Sequence, residues 1–168
     1  MHRLHGPEHC WEMPFTIRAL PPTQRHRLAP LLARYAEEMR AALNGAAIAT
    51  PEAQAALLAE HPAAEVLVAE DVSGGLVGFA ILFDLPEVVF ARRCGNLDDL
   101  FVRADARGQG IARALIAAAV TLGRERGWSH LRWIVPESDR AAIALYERIA
   151  ERADWRSYVI RLDAEASL

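Results

Sequence analysis

Leu97-Asp98-Asp99-Leu100-Phe101-Val102 and, shortly after it, Arg107-Gly108-Gln109-Gly110-Ile111-Ala112 are the two runs from which the architecture of the chain is predicted. The first run has the apolar and aromatic content of a strand, and the second leads into a segment with apolar residues at helical spacing. The pattern predicts a strand, a polar loop and a helix. Backbone N–H groups converge at such a junction and the helix dipole favours negative charge, which makes the loop a candidate phosphate site.

The glycines of this loop matter because a side chain would block the close approach of an anion to the backbone. No Gly-Lys-Ser or Gly-Lys-Thr follows, so an ATP-type phosphate loop is excluded. The spacing also differs from the Gly-x-Gly-x-x-Gly pattern of dinucleotide-binding proteins. On the residues alone, an ordinary glycine-bearing helix start remains an equal alternative.

The elements predicted around this stretch give the order β-α-α-β-β-β-α-β-α-β, and hence an α/β class with a mixed sheet and helices on both faces. The strands are 15–20, 65–70, 76–83, 97–102, 128–135 and 155–162, and the helices begin at Thr23, Pro51, Ile111 and Asp139, the first running to Asn44-Gly45. Residues 84–94 are predicted to be a long apolar connection that lines an acceptor pocket, forms a dimer contact, or is covered by neighbouring side chains.

Length and composition narrow the class of protein. The 168 residues fit one domain, expected over 15–168, after a flexible N-terminal extension over 1–14. A net charge of −3 without a basic stripe argues against a nucleic-acid partner, and the lack of a long apolar run argues against a membrane protein or a signal peptide. Two distant cysteines favour a reducing compartment, so a cytoplasmic protein is expected. His2, His5, His9 and Cys10 match no closed zinc pattern, so no metal is expected.

Three spaced motifs resemble the GCN5-related N-acetyltransferase (GNAT) superfamily. Arg107-x-x-Gly110-x-Ala112 is similar to its Gln/Arg-x-x-Gly-x-Gly/Ala signature for acetyl-CoA, and Leu97–Val102 resembles its fourth strand. Asp139 to Tyr146 looks like its Asn-x-x-Ala-x-x-x-Tyr helix, with Asp in place of Asn. The resemblance covers about residues 15–162. It implies the GNAT acyl-CoA N-acyltransferase fold, acetyl-CoA as cosubstrate and, commonly, a homodimer.

The resemblance also implies which residues hold the coenzyme. The loop and the first turn of the helix would bind the diphosphate through their backbone amides, while the fourth strand would pair with the pantetheine arm in a splay beside the strand that starts near Trp128. The residues concerned are Leu100, Phe101, Val102, Arg107, Gly108, Gln109, Gly110, Ile111, Ala112, Arg113 and Asp139. Asp139 lacks the amide donor of the family's Asn, which puts its usual contact in doubt.

The resemblance implies that Tyr146 donates a proton to the departing thiolate; the alternative is a packing aromatic on its helix. Asp98 and Asp99 match an acidic pair of the diamine and polyamine acetyltransferases and would contact a cationic amine or accept its proton. The alternative is a pair of solvated carboxylates. Because neighbouring strand residues point to opposite faces, only one should enter the site unless a bulge redirects the other. In that branch, Tyr35 and Glu38 would line the acceptor pocket; packing or surface roles are equally open.

The predicted function is direct transfer of the acetyl group of acetyl-CoA to a primary amine of a small molecule, with a diamine or polyamine as the candidate acceptor. Neither cysteine has a recognisable paired base, which argues against a covalent acyl-enzyme. One alternative acceptor is the amino terminus of a peptide or protein, an amino acid or an antibiotic amine. An alternative of another class is a non-catalytic sensor module that binds acetyl-CoA.

Overall fold

The structure is a computed structural model that describes residues 14–40 and 48–160. Most of the predicted N-terminal extension, the predicted end of the first helix at Asn44-Gly45, and Leu162 lie outside these residues. The chain divides after Ile134 into two compact units. Among the helices described, none is both long and apolar enough to cross a membrane.

The first unit is built on a five-stranded mixed sheet whose strands lie in chain order. The first four strands pair antiparallel, and the fifth lies parallel to the fourth. The strands are β1 (Phe15–Ala19), β2 (Ala64–Asp71), β3 (Leu76–Glu87), β4 (Arg92–Val102) and β5 (Trp128–Arg132). The predicted mixed α/β architecture is therefore confirmed, although β5 ends three residues before the predicted Val135.

The helices of the first unit start where the sequence indicates. A 3₁₀ helix over Pro22–Leu28 leads into α1 (Ala29–Met39), and α2 spans Pro51–Glu60. Pro30 lies in the first turn of α1, where a missing N–H costs no helical hydrogen bond. The Thr50 side chain caps α2 by accepting a hydrogen bond from the Ala53 N–H at 3.3 Å. The third helix, α3, spans Ile111–Glu125 and directly follows the glycine-bearing loop.

Helices cover both faces of the sheet. Phe79 is fully buried in the cluster that α1 and α2 form with one face, together with Leu28, Leu31 and Val68. The adjacent Gly78 faces Ile111 of α3. Because neighbouring strand residues point to opposite faces, α3 packs on the other face, where it buries Leu115 and Ala119 among others. The loop before α3 is thus held at one end of the sheet.

A buried arginine fixes the end of α2 to the start of β2. Arg25 is only 3 % exposed. Its guanidinium donates to the carbonyls of Leu58, of His61 at 3.2 Å, and of Ala64. These carbonyls lie at the end of a helix and in the turn beyond it, where intrahelical donors are lacking. The arginine therefore adds a charged donor to the Leu58 and His61 carbonyls, which also accept from the His61 and Ala64 N–H groups at 3.3 Å, and it ties the end of the helix to β2.

The predicted long connection over residues 84–94 is wrong, because these residues extend β3 and β4. The ladder continues through Asp84↔Gly95 to Glu87↔Arg92 and is closed by a 3₁₀ turn at Val88–Phe90. Asp84 and Arg93 form a salt bridge at 2.7 Å across the extension. Polar and charged residues in this segment interrupt the apolar pattern of a strand. Hydrogen bonding between the two neighbouring strands stabilises the extended conformation, which the intrinsic strand propensity of these residues does not.

The second unit contains α4 (Arg140–Ile149). Asp139 caps this helix, since its Oδ1 accepts a hydrogen bond from the Ala142 N–H at 3.0 Å. The strand predicted over 155–162 is wrong for residues 155–160, which form neither helix nor strand and are exposed. Trp155 and Tyr158 are typical strand residues, but β-forming composition alone makes no strand unless a neighbouring backbone completes a ladder.

Candidate active site

The glycine-bearing loop has the geometry of an anion site. Gly108 and Gly110 have φ angles of 78° and 82°, in the left-handed region that side chains disfavour. A Cβ built at either position would meet no heavy atom of the described chain within 4 Å. The glycines are therefore needed for the backbone conformation, and the space beside them is open to a ligand.

Three backbone amides at the start of α3 directly follow these glycines. The first α-helical hydrogen bond runs from the Ala114 N–H to the Gly110 carbonyl at 3.0 Å. The N–H groups of Ile111, Ala112 and Arg113 therefore have no acceptor within the helix. Together with the positive end of the helix dipole, they suit a diphosphate. The residues present thus fit the coenzyme that the sequence implies.

Arg107, the first residue of the signature, turns away from the loop backbone. Its Nε donates to the Val102 carbonyl at 2.9 Å, and its Nη2 pairs with the Glu38 carboxylate at 2.5 Å. The guanidinium also lies 5.7 Å from the centre of the Phe101 ring. The structure therefore joins Arg107 to Glu38, which was predicted to bind the acceptor, and the pair links α1 to the end of β4.

The C-terminal half of β4 has one free edge in the first unit. Its ladder with β3 continues to Gly78↔Val102, whereas its parallel ladder with β5 ends at Asn96↔Arg132. Within the described part of this unit, the β5-facing edge of Leu100–Val102 has no strand partner. The geometry is the predicted splay. Apart from the Val102 carbonyl, which accepts from Arg107 Nε, the backbone groups on this edge can pair with an extended ligand as an added strand.

A β-bulge brings the two adjacent aspartates together. Ile81 pairs with Asp99, but the next residue of β3, Leu82, pairs with Leu97. Asp98 is therefore the extra residue, and a bulge can direct neighbouring side chains to the same face. The Asn96 side-chain amide donates to the Asp98 carboxylate at 3.3 Å. Asp99 is half-buried and Asp98 is exposed, so the two carboxylates differ in their access to solvent.

Tyr35 of α1 lies directly against the half-buried carboxylate. Its hydroxyl donates to Asp99 Oδ1 at 2.6 Å, and its ring packs between Phe79 and Phe101 with centroid distances of 5.7 and 5.5 Å. Burial raises the pKa of Asp99 above its usual value, the Tyr35 hydrogen bond opposes that shift, and the charge of Asp98 adds to it. The carboxylate is therefore a stronger proton acceptor than a solvated aspartate.

Tyr146 and Asp139 both belong to the second unit. Burial and the charge of Asp139 raise the pKa of Tyr146 above its ordinary value, so the phenol stays protonated at neutral pH. The Asp139 carboxylate caps α4, a role that the family's Asn can also perform. Whether Asp139 also contacts the coenzyme stays a prediction.

Gly78 is a site-forming residue that the sequence reading missed. A Cβ there would lie 2.9 Å from the Phe101 carbonyl oxygen and 3.2 Å from Ile111 Cγ2. The absent side chain therefore lets the end of β4 and the start of α3 approach β3 closely. The available signal was an isolated glycine inside an apolar strand, which marks a close backbone approach.

A family model and several known proteins are similar to this chain over much of its length. The family model described as the acetyltransferase (GNAT) family matches residues 31–150. A crystal structure of a ribosomal-protein-alanine N-acetyltransferase from Brucella melitensis biovar Abortus 2308 is 41 % identical, with a TM-score of 0.78 over 88 % of this chain and 99 % of that one. The N-acetyltransferase YhfO of Bacillus subtilis (strain 168) is 31 % identical over 79 % of this chain and 86 % of its own.

A further relative is much longer. The mycothiol acetyltransferase of Salinispora tropica is 38 % identical over 98 residues, which are 58 % of this chain. The matched part is 31 % of that relative, so the chain spans about a third of its length.

Proposed function

The chain belongs to the acetyltransferase (GNAT) family, and from that premise we propose that it transfers the acetyl group of acetyl-CoA directly to a primary amine of a small cationic molecule. The observation that carries the choice of acceptor is the bulge, which sets Asp98 beside Asp99 while Tyr35 holds Asp99 at 2.6 Å. Two carboxylates at one position favour an ammonium group over a neutral or anionic acceptor.

Acetyl-CoA would supply an acetyl group activated as a thioester. The amides of Ile111, Ala112 and Arg113 and the backbone around Gly108 and Gly110 would hold its diphosphate. The free edge of Leu100–Val102 would align its extended arm, and a backbone N–H of β4 would stabilise charge on the carbonyl oxygen. The glycine-bearing loop and the free edge of Leu100–Val102 lie at the same end of β4, which supports a single coenzyme site.

An ammonium ion has no lone pair, so the acceptor must lose a proton before it can attack. We assign this proton to Asp99, directly or through one water, because burial raises its pKa and thus its basicity. The exposed Asp98 would attract and orient the cation. Tyr35 would hold the Asp99 carboxylate in one orientation.

Tyr146 is proposed as the group that donates a hydrogen bond or a proton to the departing thiolate. The support is its place in the Asp139-x-x-Ala142-x-x-x-Tyr146 motif. Its raised pKa keeps the phenol protonated but makes complete proton transfer to a thiolate less favourable. Electrostatic stabilisation of the thiolate is therefore the main effect we expect.

A second candidate acceptor is the amino terminus of a peptide or protein. The support is the 41 % identity to a structure described as a ribosomal-protein-alanine N-acetyltransferase. An α-ammonium group also carries one positive charge, so the same aspartates would serve it. A diamine or polyamine differs in having a second cation, for which Asp98 would be available.

The test is release of coenzyme A thiol from acetyl-CoA, measured across diamines, polyamines, amino acids, antibiotic amines and peptides that begin with alanine. We expect the highest kcat/KM with a small polycation. For such a substrate, Asp98→Asn should raise KM and Asp99→Asn should lower kcat. A clear preference for the peptides would replace the small-molecule proposal, and coenzyme binding without turnover on any amine would favour the sensor module.

Three further expectations stay predictions: a homodimer, a cytoplasmic location, and one domain over 15–168. The diamine and polyamine branch is likewise a proposal, and it rests on the acidic pair.

A further inference from the structure

Three potential metal ligands converge at the end of the sheet away from the glycine-bearing loop. Glu87 at the end of β3, Cys94 near the start of β4 and His130 of β5 each offer one ligand atom, and these atoms lie within 4.8 Å of one another. Cys94 is fully buried, Glu87 is largely buried, and His130 is exposed. A metal ion could therefore enter from the His130 side and find a thiolate inside.

The spacing is close to that of a zinc site. Tetrahedral Zn²⁺ with bonds of about 2.0–2.3 Å places its ligand atoms roughly 3.3–3.7 Å apart. Contraction from 4.8 Å requires about one ångström, which rotation of the Glu87 and His130 side chains can supply. The backbones are already fixed, since β3, β4 and β5 are neighbours in one sheet.

Ser129 orients two of the three ligands. Its hydroxyl oxygen lies 3.0 Å from His130 Nδ1 and 3.0 Å from Glu87 Oε2, and 3.1 Å from the Arg93 carbonyl. His130 Nε2 meanwhile faces Glu87 Oε1 at 3.8 Å. A metal-binding histidine usually donates its other ring N–H to a nearby oxygen, which fixes the ligating nitrogen. Ser129 provides that oxygen here.

Charge and ligand softness select the ion. A thiolate and a carboxylate carry two negative charges, which a divalent cation neutralises, and the imidazole is neutral as a ligand. Sulfur and nitrogen donors favour zinc over magnesium or calcium. A cation near the site is the half-exposed Arg92, whose Nη2 lies 3.8 Å from Glu87 Oε2 and whose guanidinium lies 4.8 Å from the centre of the Phe90 ring.

We propose that Glu87, Cys94 and His130 form a zinc site that joins β3, β4 and β5, with water as the fourth ligand. Cys94 precedes Val102 by eight residues of β4, or about 26 Å of strand. The zinc would therefore not touch the coenzyme loop, and the acetyl transfer does not require it. Its role would be to secure β5, whose ladder with β4 is short.

The test is titration of the reduced, full-length protein with Co²⁺ and then Zn²⁺. We expect the visible bands of tetrahedral cobalt and a thiolate-to-cobalt charge-transfer band, both displaced by one equivalent of zinc. Cys94→Ser should abolish the charge-transfer band and weaken zinc binding by about a hundredfold or more, and Ser129→Ala should weaken it about tenfold. At free zinc a hundredfold above Kd, Tm should rise by about 5–10 °C.

Matched controls separate this site from other thiols and imidazoles. Cys10→Ser and His26→Gln should bind zinc as the wild type does, since His26 is an exposed histidine on another element. If Cys94→Ser fails to fold, His130→Gln decides, because its side chain is exposed and its loss should remove the Tm shift. The proposal would be overturned if the protein took up no zinc, if zinc binding persisted in both Cys94→Ser and His130→Gln, or if it were lost in Cys10→Ser.

Discussion

Removing the Tyr35 hydroxyl should change the pH dependence of acetyl transfer. The hydroxyl donates to the Asp99 carboxylate at 2.6 Å and favours its charged form, against the burial that disfavours it. In Tyr35→Phe only the opposing influences remain, so the pKa of Asp99 rises further. Because the unprotonated carboxylate is the proposed proton acceptor, the acid limb of kcat/KM should move to higher pH.

The size of the effect follows from the hydrogen bond that is lost. A hydrogen bond to a charged group contributes about 1.5–3 kcal/mol, and about 1.4 kcal/mol corresponds to a factor of ten. On the acid limb, kcat/KM should therefore fall by roughly tenfold to a hundredfold. We expect the smaller, tenfold decrease, because the Asp99 carboxylate is half-buried and water can replace part of the lost hydrogen bond. On the alkaline plateau the two proteins should differ little.

The assay is kcat/KM for the best amine, measured across pH for the wild type, Tyr35→Phe and Asp99→Asn. Tyr158→Phe is the matched control, because its side chain is 84 % exposed. Thermal melts would show that each variant is folded at every pH used. Superimposable acid limbs for the wild type and Tyr35→Phe, or an unchanged profile in Asp99→Asn, would refute the assignment of Asp99 as proton acceptor.

Three other changes test separate parts of the molecule. Gly110→Ala should weaken binding of coenzyme A, measured by calorimetry, by about five- to thirtyfold. A side chain at φ of 82° costs about 1–2 kcal/mol, and relaxation of that strain would displace the loop amides. The control is Gly127→Ala, at φ of 69° beyond α3, which should lower stability but leave coenzyme affinity unchanged. Tyr146→Phe should lower kcat more than coenzyme affinity, and unchanged turnover would leave Tyr146 a packing role. Arg25→Met should lower the free energy of unfolding in urea by about 2–3 kcal/mol, since three backbone carbonyls lose a charged hydrogen bond although two of them keep a backbone donor. The exposed Arg40→Met should cost under about 1 kcal/mol.

The sequence correctly predicted those elements that are set by residues within a few positions of one another. Thr50-Pro51 located the start of α2, Asp139 the start of α4 to within one residue, and the glycines at 108 and 110 the turn before α3. In each case a side chain or a permitted φ angle acts within a few residues of its own position. The extension of β3 and β4 escaped prediction, since those residues become strands only by pairing with each other.

The family, the glycine-bearing loop and the acidic pair could be read from the sequence alone, because a turn and the helix that follows it form one short contiguous segment. The fold was needed to show that a β-bulge lies at Asp98 and Asp99, that Tyr35 of α1 binds the half-buried Asp99 carboxylate, and that the parallel ladder stops at Asn96. It alone also brought Glu87, Cys94 and His130 together. These features depend on strand register, which is set by the packing of whole elements rather than by the residues nearest in the chain.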